Sequence, residues 1–196
     1  TKRKFFYIDS KNTVEVSMMS KNINGSYYLD KTKRYSAMID RFDSYGVVGI
    51  FILPDFDSDL KTLVSDFTID DLKQLVSSSI SMKVEATIPK FNLKQNLSTK
   101  KIIIDMGVQD VFSHSCDLSG ATDFPVFTSD ILHSANIEIN EEGVIAAAAT
   151  AILVNTRCLK PSLEIVKFIA DRPFLFLIYD QKNGFPVFIS AVVNPN

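Results

Sequence analysis

Two apolar runs near the end of the chain, Phe174–Tyr179 and Phe185–Val193, are separated only by Asp180-Gln181-Lys182-Asn183-Gly184. Asn-Gly between two strand-like runs is a strong local signal for a β-hairpin, because both residues tolerate the left-handed backbone that tight turns need. The chain therefore has to build a sheet, and the apolarity of both runs predicts that the hairpin is buried. Upstream, Thr13–Met19 alternates apolar and polar residues with period 2, as a half-buried strand does. Tyr45–Leu53 is almost continuously apolar and is closed by Pro54-Asp55, which predicts a strand covered on both faces. Lys83–Leu93 alternates again, with Pro89 inside it marking an edge or a bulge. Fifteen Phe and six Tyr without a Trp suggest an aromatic β core.

Helical patterns are fewer. Leu60, Leu63, Val64 and Phe67 follow the i, i+3, i+4, i+7 spacing after Asp57 and Ser58, which could cap them. Thr68 with Asp71 forms a capping-box-like start, followed by the stripe Ile69, Leu72, Leu75 and Val76. A third helix is expected from Ser98 to Met106, stopping at Gly107. Strands, two or three short helices and further strands give an α+β chain, with neither an internal repeat nor a linker to divide residues 1–196.

The 196 residues are 46% hydrophobic with a net charge of −2, enough for a sizeable core and without the basic footprint of a nucleic-acid binder. The longest mainly apolar stretch, Val144–Val154, is far shorter than the ~20 residues of a membrane-spanning helix. The opening Thr1-Lys2-Arg3-Lys4 runs into strand-like Phe5-Phe6-Tyr7-Ile8 and reads as structure, not as a leader. With two His and two Cys, enzyme and metal chemistry has little to work with. His114 and Cys116 lack a third ligand at suitable spacing, no base-plus-orienter set is visible, and a surface turn is the expectation there. No metal, cofactor or catalytic residue is expected. Asn24-Gly25-Ser26 and Asn96-Leu97-Ser98 are glycosylation sequons, a motif of low specificity.

One segment resists a local reading. Glu141-Glu142-Gly143-Val144-Ile145-Ala146-Ala147-Ala148-Ala149-Thr150-Ala151 has the alanine content of a helix. Its flanks, Ile137-Glu138-Ile139 and Ile152-Leu153-Val154, are strand-like. A run of small side chains between strands can be a buried helix or a loop able to slide into a sheet. This segment resembles the hinge of the reactive-centre loop of serpins. Further blocks match that family in order: Val14–Met19, Phe51–Asp55, Val84–Phe91, Gly107–Phe112, Asp117–Gly120 with Leu132–Ala135, Asp171–Phe176 and Val192–Pro195. The resemblance covers essentially the whole chain.

The resemblance implies an α+β serpin fold, C-terminal portion: most of sheets B and C, two strands of sheet A and the reactive loop. Residues 1–196 would be the C-terminal half of one serpin domain. It implies a non-enzymatic inhibitor of serine proteases, a suicide substrate whose cleaved loop inserts into sheet A as a new strand. Glu141, Glu142, Gly143, Val144, Ala146, Ala147, Ala148, Ala149 and Thr150 would form the loop hinge, small enough to enter a sheet without overpacking it. The scissile residue usually lies fourteen positions beyond the hinge glycine, which is Arg157, so the reactive bond is expected between Arg157 and Cys158. Arginine there selects trypsin-like proteases, whose specificity pocket ends in an acid. Thr156, Leu159 and Lys160 are the neighbouring alternatives for a loop of different length.

His133 aligns with a structural hydrogen-bonding histidine where sheet A opens. Val144 stands where inhibitory members usually have Thr or Ser, Ile145 where they have Glu, and Ser190 where they have Gly. The implied partners are a trypsin-like serine protease and, through open sheet edges, an N-terminal serpin half or another copy. Neither nucleic acid nor membrane is expected. The expected compartment is extracellular, with the cytoplasm as the alternative. The isolated chain is expected not to trap a protease, and a non-inhibitory serpin-like binding or structural protein is the competing reading.

Overall fold

Period-2 patterning takes effect from the first residues. The strand β1 (Lys2–Tyr7) turns back antiparallel on β2 (Thr13–Asp30). The turn is closed by Asp9, whose Oδ1 accepts the backbone N–H of Lys11 and Asn12 at 2.7 and 2.8 Å. The computed structural model describes residues 1–42, 46–141, 143–144 and 165–196. Among them, residues 1–91 with 138–196 make one unit and residues 92–137 a second.

In the first unit β2 runs well past the predicted Met19. It pairs with β1 at its start, with β5 (Ile80–Pro89) from Met18 to Tyr27, and with β3 (Tyr35–Arg41) from Ser26 to Asp30. Next come β4 (Val47–Pro54), β9 (Ile165–Ile169), β10 (Phe174–Asp180) and β11 (Phe185–Val192), in the order β11-β10-β4-β3-β2-β5-β9. Because one long β2 serves three neighbours, these eight strands form a single hydrogen-bonded network.

β4 is apolar throughout because both of its faces are covered. Val48, Ile50 and Ile52 pack with Leu72, Leu75, Leu175 and Leu177 beneath the helices. On the other face Phe51 meets Phe176 at 4.8 Å and Phe174 at 6.1 Å between ring centroids, and Phe91 joins them edge-on. This is the aromatic core that the Phe content suggested. Tyr45 lies outside the described residues.

α1 (Leu60–Asp66) and α2 (Ile69–Ser78) follow the predicted stripes. Burial of Leu60 and Leu63 fixes the first turn of α1, so its cap is the preceding Asp59 rather than Asp57 or Ser58; Asp59 Oδ1 accepts Thr62 N–H at 2.6 Å. The capping box of α2 is complete, Asp71 N–H donating to Thr68 Oγ1 and Thr68 N–H to Asp71 Oδ2.

The run from Lys83 to Leu93 is not one strand. β5 ends at Pro89, and β6 (Phe91–Ser98) belongs to another sheet. Pro89 lacks an N–H and sits beyond the last residue of the parallel β5–β9 ladder, at Thr87, so no ladder bond is lost there. The next N–H, that of Lys90, donates to Ser17 O at 2.8 Å.

The C-terminal hairpin has the predicted turn. Gly184 takes φ +75°, its N–H donates to Asp180 O at 2.8 Å, and Asp180 Oδ1 accepts from Lys182 and Asn183. Only β10 is buried on both faces. β11 is the end strand of the order and leaves Phe185, Val187 and Ile189 exposed, which corrects the expectation of a hairpin buried throughout.

In the second unit β6 pairs with β7 (Leu132–Asn140), which continues into the first unit. α3 is shorter than predicted, Lys100–Asp105, with no buried residue to extend it, and Gly107 follows at φ +96°. No helix among the described residues is long and apolar enough to cross a membrane.

Candidate functional site

The segment expected to form the loop hinge begins where β7 ends. After Asn140 and Glu141 the backbone returns as β8 (Gly143–Val144), antiparallel to β7, with Val144 opposite Ile139 and Gly143 opposite Asn140. The first residues of the alanine-rich segment thus begin a third strand in the order β6-β7-β8. Glu142, Ala146, Ala147, Ala148, Ala149, Thr150, Arg157 and Cys158 lie outside the described residues, as does Ile145.

Glu141 is held from two directions. Its Oε2 forms an ion pair with Lys90 Nζ, and its Oε1 accepts a hydrogen bond from the Thr1 hydroxyl. Lys90 is placed by the β5–β6 break described above. The Lys90 hydrogen bond, with that of Thr1 second, pulls the Glu141 carboxyl from the ordinary 4.5 down to about 2. A carboxyl depressed in the folded state stabilises that state fully above about pH 4.5, and the contribution is lost as pH falls through about 2. Carbon-detected NMR titration should therefore find Glu141 still charged at pH 3.5. A midpoint near 4.5 would show that the Lys90 anchor does not form.

Beneath this anchor lies a cavity of about 250 Å³ between Met19, Met38, Phe51, Ile88 and Ile139. Asp40 lines it, and burial raises the Asp40 carboxyl pKa against the opposing pull of Lys21. Lys90 and Thr1 were missed by the sequence reading. Each is remote in sequence from Glu141, and no spacing rule connects a residue after a strand-ending proline with a loop hinge.

His133 is exposed on the part of β7 that belongs to the second unit. His114 stacks edge-on against Phe127 at 4.5 Å, and Cys116 is a half-buried free thiol whose N–H closes a turn on Ser113 O. Among the described residues no group of three or more His, Cys, Asp or Glu side chains could hold a metal ion. Ser190 is half-buried in β11, opposite Phe176.

A family model described as Serpin (serine protease inhibitor) matches residues 1–195. Intracellular coagulation inhibitor 2 of Tachypleus tridentatus is 32% identical over 188 residues, covering 95% of this chain and 46% of that protein. Alpha-1-antiproteinase of Ovis aries is 30% identical over 197 residues, with 100% and 45% covered. A solved serpin from the trematode Schistosoma haematobium shares the fold at a TM-score of 0.84 and 23% identity, covering all of this chain and 51% of that one. The chain spans about half the length of the curated relatives it matches.

Proposed function

The chain belongs to the serpin family, and from that premise we propose that the full-length protein inhibits trypsin-like serine proteases outside the cell as a suicide substrate. The protease serine attacks the Arg157 carbonyl carbon, the bond to Cys158 breaks, and the new amine leaves with the Cys158 side while Arg157 stays esterified to the enzyme. Residues 143–150 then add to β7 as a full strand and carry the acyl-enzyme with them. Each residue that enters gains ladder hydrogen bonds, and burial adds to the gain.

The observation that carries this reading is the register of β8. Gly143 and Val144 pair antiparallel with Asn140 and Ile139, which supports entry of the loop beside β7 in the direction that insertion requires. Ala146–Ala149 and Thr150 continue it with side chains small enough to enter. The far side of the inserting strand is supplied by an N-terminal serpin half or by another copy. The isolated 196 residues therefore act as a substrate and not as a trap.

A second reading, a non-inhibitory scaffold, is favoured by Val144 and Ile145, which replace a hydroxyl and a charge with apolar surface. Thermal unfolding of the full-length protein before and after a cut within the loop separates the two. Insertion is expected to raise Tm by tens of degrees, since a buried strand is gained, and Ala148→Pro should abolish the rise by removing a ladder N–H in mid-strand. An unchanged Tm after cleavage of the wild type would favour the scaffold.

A further inference from the structure

The two sequons are not equivalent in the fold. Asn96 lies on β6 and is exposed, as are Leu97 and Ser98 beside it. Its Oδ1 accepts a hydrogen bond from Ser134 Oγ on β7 at 2.7 Å. That bond engages the amide oxygen with the neighbouring strand, and not Nδ2, the atom an N-glycan is built on. The hydroxyl that defines the sequon, Ser98 Oγ, is also exposed and donates to Asp130 Oδ1 at 2.7 Å. β6 is the end strand of its sheet order, with β7 as its neighbour.

Asn24 is exposed as well, but its surroundings differ. It lies in the interior of β2, the strand that binds the large sheet together, directly opposite Lys83 of β5. The sequon's middle residue, Gly25, is buried so tightly that a Cβ would come within 2.6 Å of Ile39 O.

We propose that Asn96 is an N-glycosylation acceptor and that Asn24 is not. The inference rests on the extracellular reading given above, because the donor is a lipid-pyrophosphate-linked oligosaccharide of the secretory pathway. The Asn96 Nδ2 forms a bond to the anomeric carbon of the first sugar and gives up one proton, and the lipid pyrophosphate leaves with the bonding electrons. The product keeps the amide oxygen, and hence the Ser134 contact. A hydrated glycan beside β6 also hinders addition of a strand from another molecule at that edge.

The test expresses the full-length protein in a eukaryotic secretory line in two forms, one with its own N-terminus and one behind a cleavable secretory leader. Products are digested with peptide N-glycosidase in heavy-oxygen water and mapped by mass spectrometry. In the leader form the expected result is one labelled site, at Asn96. It should be lost in Asn96→Gln and Ser98→Ala, retained in Ser98→Thr, which keeps the sequon should Ser98→Ala fold poorly, and unchanged in Asn24→Gln. Secretion with Asn96 unmodified, or with the glycan on Asn24, overturns the site assignment. If the form with its own N-terminus stays in the cytosol while the leader form is glycosylated, the extracellular reading falls, and modification in the native cell falls with it. The acceptor chemistry of Asn96 would still stand, so the two failures are distinguishable.

Discussion

Replacing Arg157 with Glu in the full-length protein is expected to slow its reaction with a trypsin-like protease by about 10²–10³-fold. The specificity pocket of such an enzyme buries an acid that a guanidinium satisfies by charge-assisted hydrogen bonds. Removing one partner of a buried pair costs roughly 3–5 kcal/mol, and each 1.4 kcal/mol is a factor of ten. Arg157→Lys retains the charge and should keep most of the rate, whereas Cys158→Ser should leave it close to wild type. The measurement is the second-order rate of protease inactivation. An unchanged rate in Arg157→Glu together with a large loss in Lys160→Glu would move the reactive bond to Lys160.

The second large effect is on stability. Phe176→Ala is expected to cost about 3–5 kcal/mol, read from urea unfolding of the full-length protein. Phe176 is fully buried in β10 between Phe51 of β4 and Ser190 of β11. Its ring lies 4.8 Å from that of Phe51, 5.8 Å from Phe91 and 6.3 Å from Phe188. Truncation leaves a void walled by rigid aromatic rings on two neighbouring strands, a site that cannot collapse cheaply. A loss below about 1 kcal/mol would mean that this aromatic cluster is not the centre of the sheet's packing.

The parts of the fold legible in the sequence are those fixed by neighbours a few residues apart. Thr68 and Asp71 cap α2 because both partners lie within one turn. Asp180, Asn183 and Gly184 close the last hairpin because each bond spans four residues or fewer. What was misread depends on partners far along the chain. The run from Lys83 to Leu93 has one period, and only the pairing of β5 with β2 up to Pro89 and of β6 with β7 beyond it reveals that it changes sheets. The apolar run of β11 does not say which of its faces is covered, so Phe185, Val187 and Ile189 read as core although they are exposed.

The site divides in the same way. The residues proposed as the hinge stood out because a run of small side chains between strand-like flanks is unusual in itself. Family resemblance, and not residue physics, assigned roles to Arg157 and Cys158. The Lys90 and Thr1 contacts to Glu141 come from other parts of the chain and leave no local trace.

The loop is proposed to be bait and trap together, and one reaction addresses both halves of that role. Full-length protein is mixed with trypsin, and the products are resolved on a denaturing gel and by mass spectrometry. The expected result is an SDS-resistant covalent complex together with a released peptide that begins at Cys158, and the isolated 196-residue chain treated alongside should be cut without forming a complex. Cleavage of the full-length protein with no covalent complex, whatever the position of the cut, would contradict it.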